Sequence, residues 1–335
     1  MHLKRRSFVA GTLATVAGLA STLTSRAQGS RKASIALDWF PNANHAGLFW
    51  AQDQGLFSGA GLDISLVTPA DPTTVLQTVA AGRDTFGISY QPDVLLARAQ
   101  DVPVLAVCAI VPRPLLGVMS LKSAGVTRPS DLRGKVVGYT GIPSQEAFLT
   151  TMLAEDGVEM TEITLNNVEF NLLPTLISGQ ATAVMGAFWT HETIVAELEG
   201  YPVDMMRVEE WGVPSYNELV LVTSEETLAR DPIMVDSVLN VVKEGYLAAA
   251  ADQGKAIDIL VAAYPESERP VEERGIALLA ELWTQPDPGF GIMVPDEWAA
   301  FANWMTEHDL LPDEFDVTRA IGANLPKPAA ATPAP

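Results

Sequence analysis

Residues 34–47 read Ser34-Ile35-Ala36-Leu37-Asp38-Trp39-Phe40-Pro41-Asn42-Ala43-Asn44-His45-Ala46-Gly47. A short apolar run, Ser34 to Leu37, predicts a strand. The Pro41-Asn42 turn follows, and His45 to Gln54 predicts a helix. The same strand, polar loop, helix unit recurs along the chain. Strands are expected at Leu62 to Val67, Thr85 to Ser89, Val102 to Ile110, Lys135 to Tyr139, Ile163 to Val168, Ala183 to Phe188 and Glu218 to Thr223. Helices are expected at Thr73 to Ala81, Pro92 to Ala99, Ser144 to Asp156, Leu173 to Ser178, Pro232 to about Ala263, Glu272 to Trp283 and Pro295 to His308. Short β-rich runs alternating with helices predict an α/β fold with mostly parallel sheets.

The spacing divides the chain into two doubly wound lobes, with the middle one inserted into the first. Residues 33–114 and 225–323 form the first lobe. Residues 115–224 form the second, with hinge strands at Leu115 to Leu121 and Leu219 to Ser224. The Pro- and Ala-rich residues 324–335 are expected to be a flexible tail. Ligands of such folds collect in the cleft at the carboxyl ends of strands.

At the N-terminus, Lys4-Arg5-Arg6 precede an uncharged run from Phe8 to Leu23 that ends at Ser25-Arg26-Ala27. This predicts a signal peptide over residues 1–27, cleaved near Ala27, with Arg5-Arg6 of twin-arginine type. A periplasmic location follows. These residues hold four bases and no acid, so the net charge of −20 becomes −24 without them. Such a charge repels phosphate backbones and anionic lipid, which excludes nucleic-acid partners. Cys108 is the single cysteine, so internal disulfides and cysteine metal clusters are excluded.

Catalytic patterns are missing: histidines occur only at 2, 45, 191 and 308, without metal-ligand spacing, and there is no phosphate loop or nucleophile elbow. No metal and no cofactor are expected. Polar and aromatic residues instead cluster after strands, at Asp38 to His45, Ser89 to Asp93, Gly141 to Glu146, Phe188 to Glu192 and Trp211 to Glu218. Rings stack on flat heterocycles, and carboxylates accept from their amino groups. Trp39, Asn42, His45, Tyr90, Trp189, Glu192, Tyr216 and Glu218 are the candidate ligand-binding residues. Trp283, Trp298 and Trp304 are expected to be packing.

Leu37-Asp38-Trp39-Phe40-Pro41-Asn42-Ala43-Asn44-His45-Ala46-Gly47 resembles the opening motif of the thiamine-pyrimidine-binding proteins, the ThiY-type receptors for formylaminopyrimidine. The resemblance continues through Gly87 to Asp93, Gly138-Tyr139, Gly141 to Pro143, Trp189 to Glu192 and Tyr216 to Leu219. It implies a type II periplasmic binding fold, a small-molecule heterocycle as ligand and an ABC permease as partner; a monomer is expected. It also implies that Trp39 and Trp189 sandwich or edge the ring and that Glu192 or Glu218 takes its amino edge. Fungal pyrimidine synthases share the Gly87 to Asp93 segment but carry a cofactor lysine and a sacrificial histidine where this chain has Ser89 and Asp93. Their cysteine cluster is also missing around Asn217 to Thr223. These departures argue for a binding protein over an enzyme.

Overall fold

The computed structural model describes residues 30–322; the expected signal peptide and the expected tail lie outside them. Among the described residues ten strands form two sheets. The first has the order β2-β1-β3-β10-β4, from β1 (Arg31–Ala36), β2 (Leu62–Val67), β3 (Phe86–Ser89), β4 (Val104–Val111) and β10 (Leu219–Ser224). The second has the order β7-β6-β8-β5-β9, from β5 (Leu116–Leu121), β6 (Val136–Tyr139), β7 (Thr164–Asn167), β8 (Ala183–Phe188) and β9 (Val203–Arg207). The architecture is α/β, with two mixed sheets in two lobes.

The chain passes from β4 to β5 through residues 112–115 and returns from β9 to β10 through residues 208–218. The segments expected as hinge strands are therefore interior strands. Leu219–Ser224, grouped with the second lobe on sequence, runs antiparallel between β3 and β4 in the first sheet. Its run of apolar residues is buried on both faces, which a central strand requires. β4 lies at the sheet edge and is nevertheless buried throughout. Bridges from Gly291 and Ile321 cover that edge.

The helical stretch expected over Pro232 to Ala263 is two helices, Pro232–Ala251 and Gln253–Ala263. Asp252 leaves helical geometry and its side chain accepts from the Lys255 N–H, starting the second helix. Strand β9 and the helix Glu192–Leu198 had no clear sequence signal, because each is under eight residues and carries charged or polar positions. Trp283, Trp298 and Trp304 are buried in the core, as expected.

The helix Ala46–Asp53 crosses Pro232–Ala251 so closely that a side chain at Gly47 would overlap Tyr246. That contact fixes the loop before it: the Tyr246 hydroxyl donates to the Asn44 carbonyl at 2.8 Å.

Candidate functional site

The loop after β1 is held by its own side chains. Asn42 caps a short 3-10 turn, and its Oδ1 accepts from the Asn44 N–H at 2.9 Å. The Asn42 N–H donates to His45 Nδ1 at 3.2 Å. His45 therefore carries its proton on Nε2, which donates to Asp38 Oδ1 at 2.9 Å. The other oxygen of Asp38 accepts from the Tyr90 hydroxyl at 2.9 Å, so two lobe-one loops fix one buried carboxylate.

The opposing wall comes from the second sheet. Glu192 accepts from the Phe188 N–H at 2.7 Å and pairs with His191 Nδ1 at 2.9 Å. Across the cleft, Glu272 lies 3.7 Å from His191 Nε2 and accepts from the Ala43 N–H at 2.5 Å. Burial works against a charged His191, but the carboxylates of Glu192 and Glu272 outweigh it and raise its pKa to about 10. Gln145 Oε1 accepts from the N–H and hydroxyl of Thr140 at 3.0 and 2.9 Å, which leaves its amide nitrogen as a donor. Gly186, at φ +112°, makes room: a Cβ there would meet Gln145 Nε2 at 2.9 Å.

At the crossover segments, Glu218 Oε2 accepts from the Leu115 and Leu116 N–H groups at 2.6 and 3.1 Å and from the Tyr216 hydroxyl at 3.0 Å. Its other oxygen has no hydrogen-bond partner among the described residues. Burial outweighs these donors and raises Glu218 to about 8. Asp93, on the first lobe, joins the Ser144 hydroxyl of the second at 2.6 Å, and burial raises it to about 6.

These groups line a cleft between the two sheets whose empty space, solvent at its opening included, is about 510 Å³. Six of the eight candidates line it: Trp39, Asn42, Tyr90, Glu192, Tyr216 and Glu218. Two do not. His45 lies behind Asp38 and orients it. Trp189 points away, its Nε1 donating to the Pro114 carbonyl at 3.2 Å and its ring covered by the Arg207 guanidinium at 4.4 Å. Successive residues at a strand end face opposite ways, and it is Phe188 that faces the cavity. The structure thus places Trp189, expected to sandwich or edge the ring, in a hinge contact outside the cavity lining.

The cavity also takes Asp38, Asn44, Ser144, Gln145, Phe188 and His191, which sequence reasoning left out of the site. All sit in the strand-end loops already singled out. Leu116 and Gly186 line it too, and nothing in the local sequence marks them. Cys108 is buried elsewhere, its thiol pushed up to about 12 by burial. Among the described residues no group of three or more His, Cys, Asp or Glu could hold a metal ion.

The raised groups set a pH dependence. Asp93, Glu218 and His191 keep protons in the folded protein above their ordinary values of 3.8, 4.5 and 6.5. Unfolding then releases protons, so stability falls as pH rises, from 3.8 to 6 for Asp93, from 4.5 to 8 for Glu218 and from 6.5 to 10 for His191. The Arg128 guanidinium and Ser130 hold Asp156 below its ordinary 3.8, which acts the other way under acid conditions. The melting temperature of the ligand-free protein is expected to peak at about pH 4, above which Asp93 and then Glu218 lower it, and to fall steadily to pH 10. A rise between pH 6.5 and 10 would contradict these assignments.

The family described as NMT1/THI5 like matches residues 42–256. A formylaminopyrimidine-binding protein of Halalkalibacterium halodurans is 35% identical over 281 residues, 83% of this chain and 85% of its own length. A 4-amino-5-hydroxymethyl-2-methylpyrimidine phosphate synthase of Saccharomyces cerevisiae is 26% identical over 235 residues, 67% of this chain and 69% of the other. In three dimensions the chain is similar to the alkanesulfonate-binding protein SsuA of Xanthomonas axonopodis pv. citri. The TM-score is 0.70 at 19% identity, covering 87% of this chain and 98% of that one. The periplasmic nitrate-binding protein NrtA of Synechocystis PCC 6803 gives 0.68 at 11% identity, covering 86% and 84%. These likenesses place the fold among the periplasmic binding proteins.

Proposed function

Because this chain belongs to the NMT1/THI5-like family, we propose that it is an extracytoplasmic receptor of an ABC importer. It captures a thiamine-precursor pyrimidine, formylaminopyrimidine or hydroxymethylpyrimidine, between its lobes and passes it unchanged to a membrane permease. The observation that carries this reading is the cavity lining. Asp38, Glu192, Glu218 and the Asn44 amide present oxygen acceptors, while Trp39, Tyr90, Phe188 and Tyr216 present rings. Its sixteen lining residues include no lysine or arginine.

An oxyanion such as a sulfonate would meet carboxylates there, with one imidazolium already neutralised by Glu192 and Glu272. An amine-bearing heterocycle meets acceptors and aromatic faces, which favours it. The synthase reading lacks its amine: no lysine lines the cavity, and Asp93 is engaged with Ser144. Among the described residues no helix is long and apolar enough to cross a membrane.

Native mass spectrometry of protein purified from its own host tests the reading. The expected result is a co-purifying pyrimidine released on unfolding. A sulfonate or a pyridoxal adduct in its place would overturn the proposal.

Trp39 sits half-buried at the cleft mouth, edge-on to Phe170 of the second lobe with ring centroids 4.4 Å apart. Trp39→Ala is expected to weaken pyrimidine binding by roughly tenfold to a hundredfold while costing less than about 1 kcal/mol of stability. Calorimetry and urea unfolding separate the two effects. A badly unfolded variant would make Trp39 a packing residue.

A further inference from the structure

We infer that Asn44 selects the ligand, its side-chain carbonyl being an acceptor kept open for an N–H or O–H of the bound molecule. This inference rests on the receptor reading above. Asn44 is 3% exposed and lines the cavity. Three of its polar groups are engaged within the protein. Its backbone N–H and its Nδ2 donate to Asn42 Oδ1 at 2.9 and 3.0 Å, and its backbone carbonyl accepts from Tyr246 at 2.8 Å. Its Oδ1 is buried and has no hydrogen-bond partner among the described residues.

The amide cannot relieve this by turning over. A flip would set the Asn44 oxygen against Asn42 Oδ1, two acceptors face to face. Asn42 cannot turn to meet it, because its Nδ2 donates to the Phe40 carbonyl at 3.1 Å and its Oδ1 takes the Asn44 N–H. Backbone groups therefore fix Asn42, and Asn42 fixes Asn44.

A buried acceptor without a donor is costly, and native proteins leave few of them. Here the orphan belongs to a residue that lines the cleft between the lobes. Its neighbour Asp38 has both oxygens bonded to His45 and Tyr90. The Asn44 carbonyl is the neutral complement to those carboxylates. It favours an uncharged amine or hydroxyl and opposes a ligand carbonyl in the same place, since oxygen would then face oxygen. The class selected is amino- or hydroxymethyl-substituted pyrimidines over their oxo analogues.

A binding cycle of two proteins and three ligands tests this by calorimetry. Wild type and N44L are titrated with 4-amino-5-hydroxymethyl-2-methylpyrimidine and with two analogues, one having methyl in place of the amine and one having the hydroxyl methylated. The expected result is that N44L binds the parent roughly tenfold to a hundredfold more weakly. One of the analogues, already weak on wild type, should lose little more on N44L, which is the signature of a direct pair. Equal losses for all three ligands, or no loss for the parent, would overturn the inference and leave the receptor reading standing. Failure of wild type to bind any of the three would instead overturn the receptor reading. If N44L does not fold, N44A carries the same cycle.

Discussion

Glu192→Gln is expected to weaken pyrimidine binding by about two to three orders of magnitude. Both oxygens of Glu192 already accept within the protein, one from the Phe188 N–H at 2.7 Å and one from His191 Nδ1 at 2.9 Å. An amide at this position must turn its NH2 toward one of those donors. It also removes the charge that, with Glu272, holds His191 protonated, so His191 loses protons at lower pH in the variant. The ligand then meets a rearranged wall with one strong acceptor fewer. Glu192 lies in the first turn of its helix, so losing its charge weakens the helix by less than about 1 kcal/mol. Calorimetry on folded protein should therefore show an affinity loss far larger than the stability loss. A dissociation constant within threefold of wild type would remove Glu192 from the ligand's acceptor set.

Glu218→Leu should have the largest effect on stability, about 3–5 kcal/mol, because it leaves the Leu115 and Leu116 N–H groups and the Tyr216 hydroxyl without their acceptor. Those donors lie on both crossover segments, so the loss also loosens the link between lobes. Glu218→Gln separates geometry from charge. All three donors converge on one oxygen, and an amide oxygen can take that place. The Gln variant should therefore stay within about 1 kcal/mol of wild type near pH 4, where the Glu218 carboxyl is protonated. It should also lose the share of the stability decline that wild type shows between pH 4.5 and 8. Urea unfolding at a series of pH values reads both. A Gln variant as unstable as the Leu variant would mean that Glu218 acts through its charge.

The cleft was legible in sequence because its chemistry sits where strands end. Asp38 to His45, Tyr90 and Glu192 follow apolar runs that could be read locally, and the fold carries those ends to one place. What could not be read was orientation and long-range adjacency. Trp189 and Phe188 are neighbours at the end of β8, and composition does not say which one faces the cleft. His45 was placed at the site by its motif, yet it acts one layer behind, through Asp38. The tie from Glu218 to Leu115 and Leu116 spans about a hundred residues, and no local pattern encodes it. The return of Leu219–Ser224 to the first sheet is likewise a pairing fact, fixed by its register with β3 and β4.

An acceptor-lined, cation-poor cleft should bind an amine-bearing pyrimidine and reject an oxyanion. The most direct test is a pair of calorimetric titrations of the purified, ligand-free protein at neutral pH, one with formylaminopyrimidine and one with ethanesulfonate. The expected result is saturable one-to-one binding of the pyrimidine at micromolar concentration or below, and no heat from the sulfonate. Saturable sulfonate binding with a silent pyrimidine titration would contradict it.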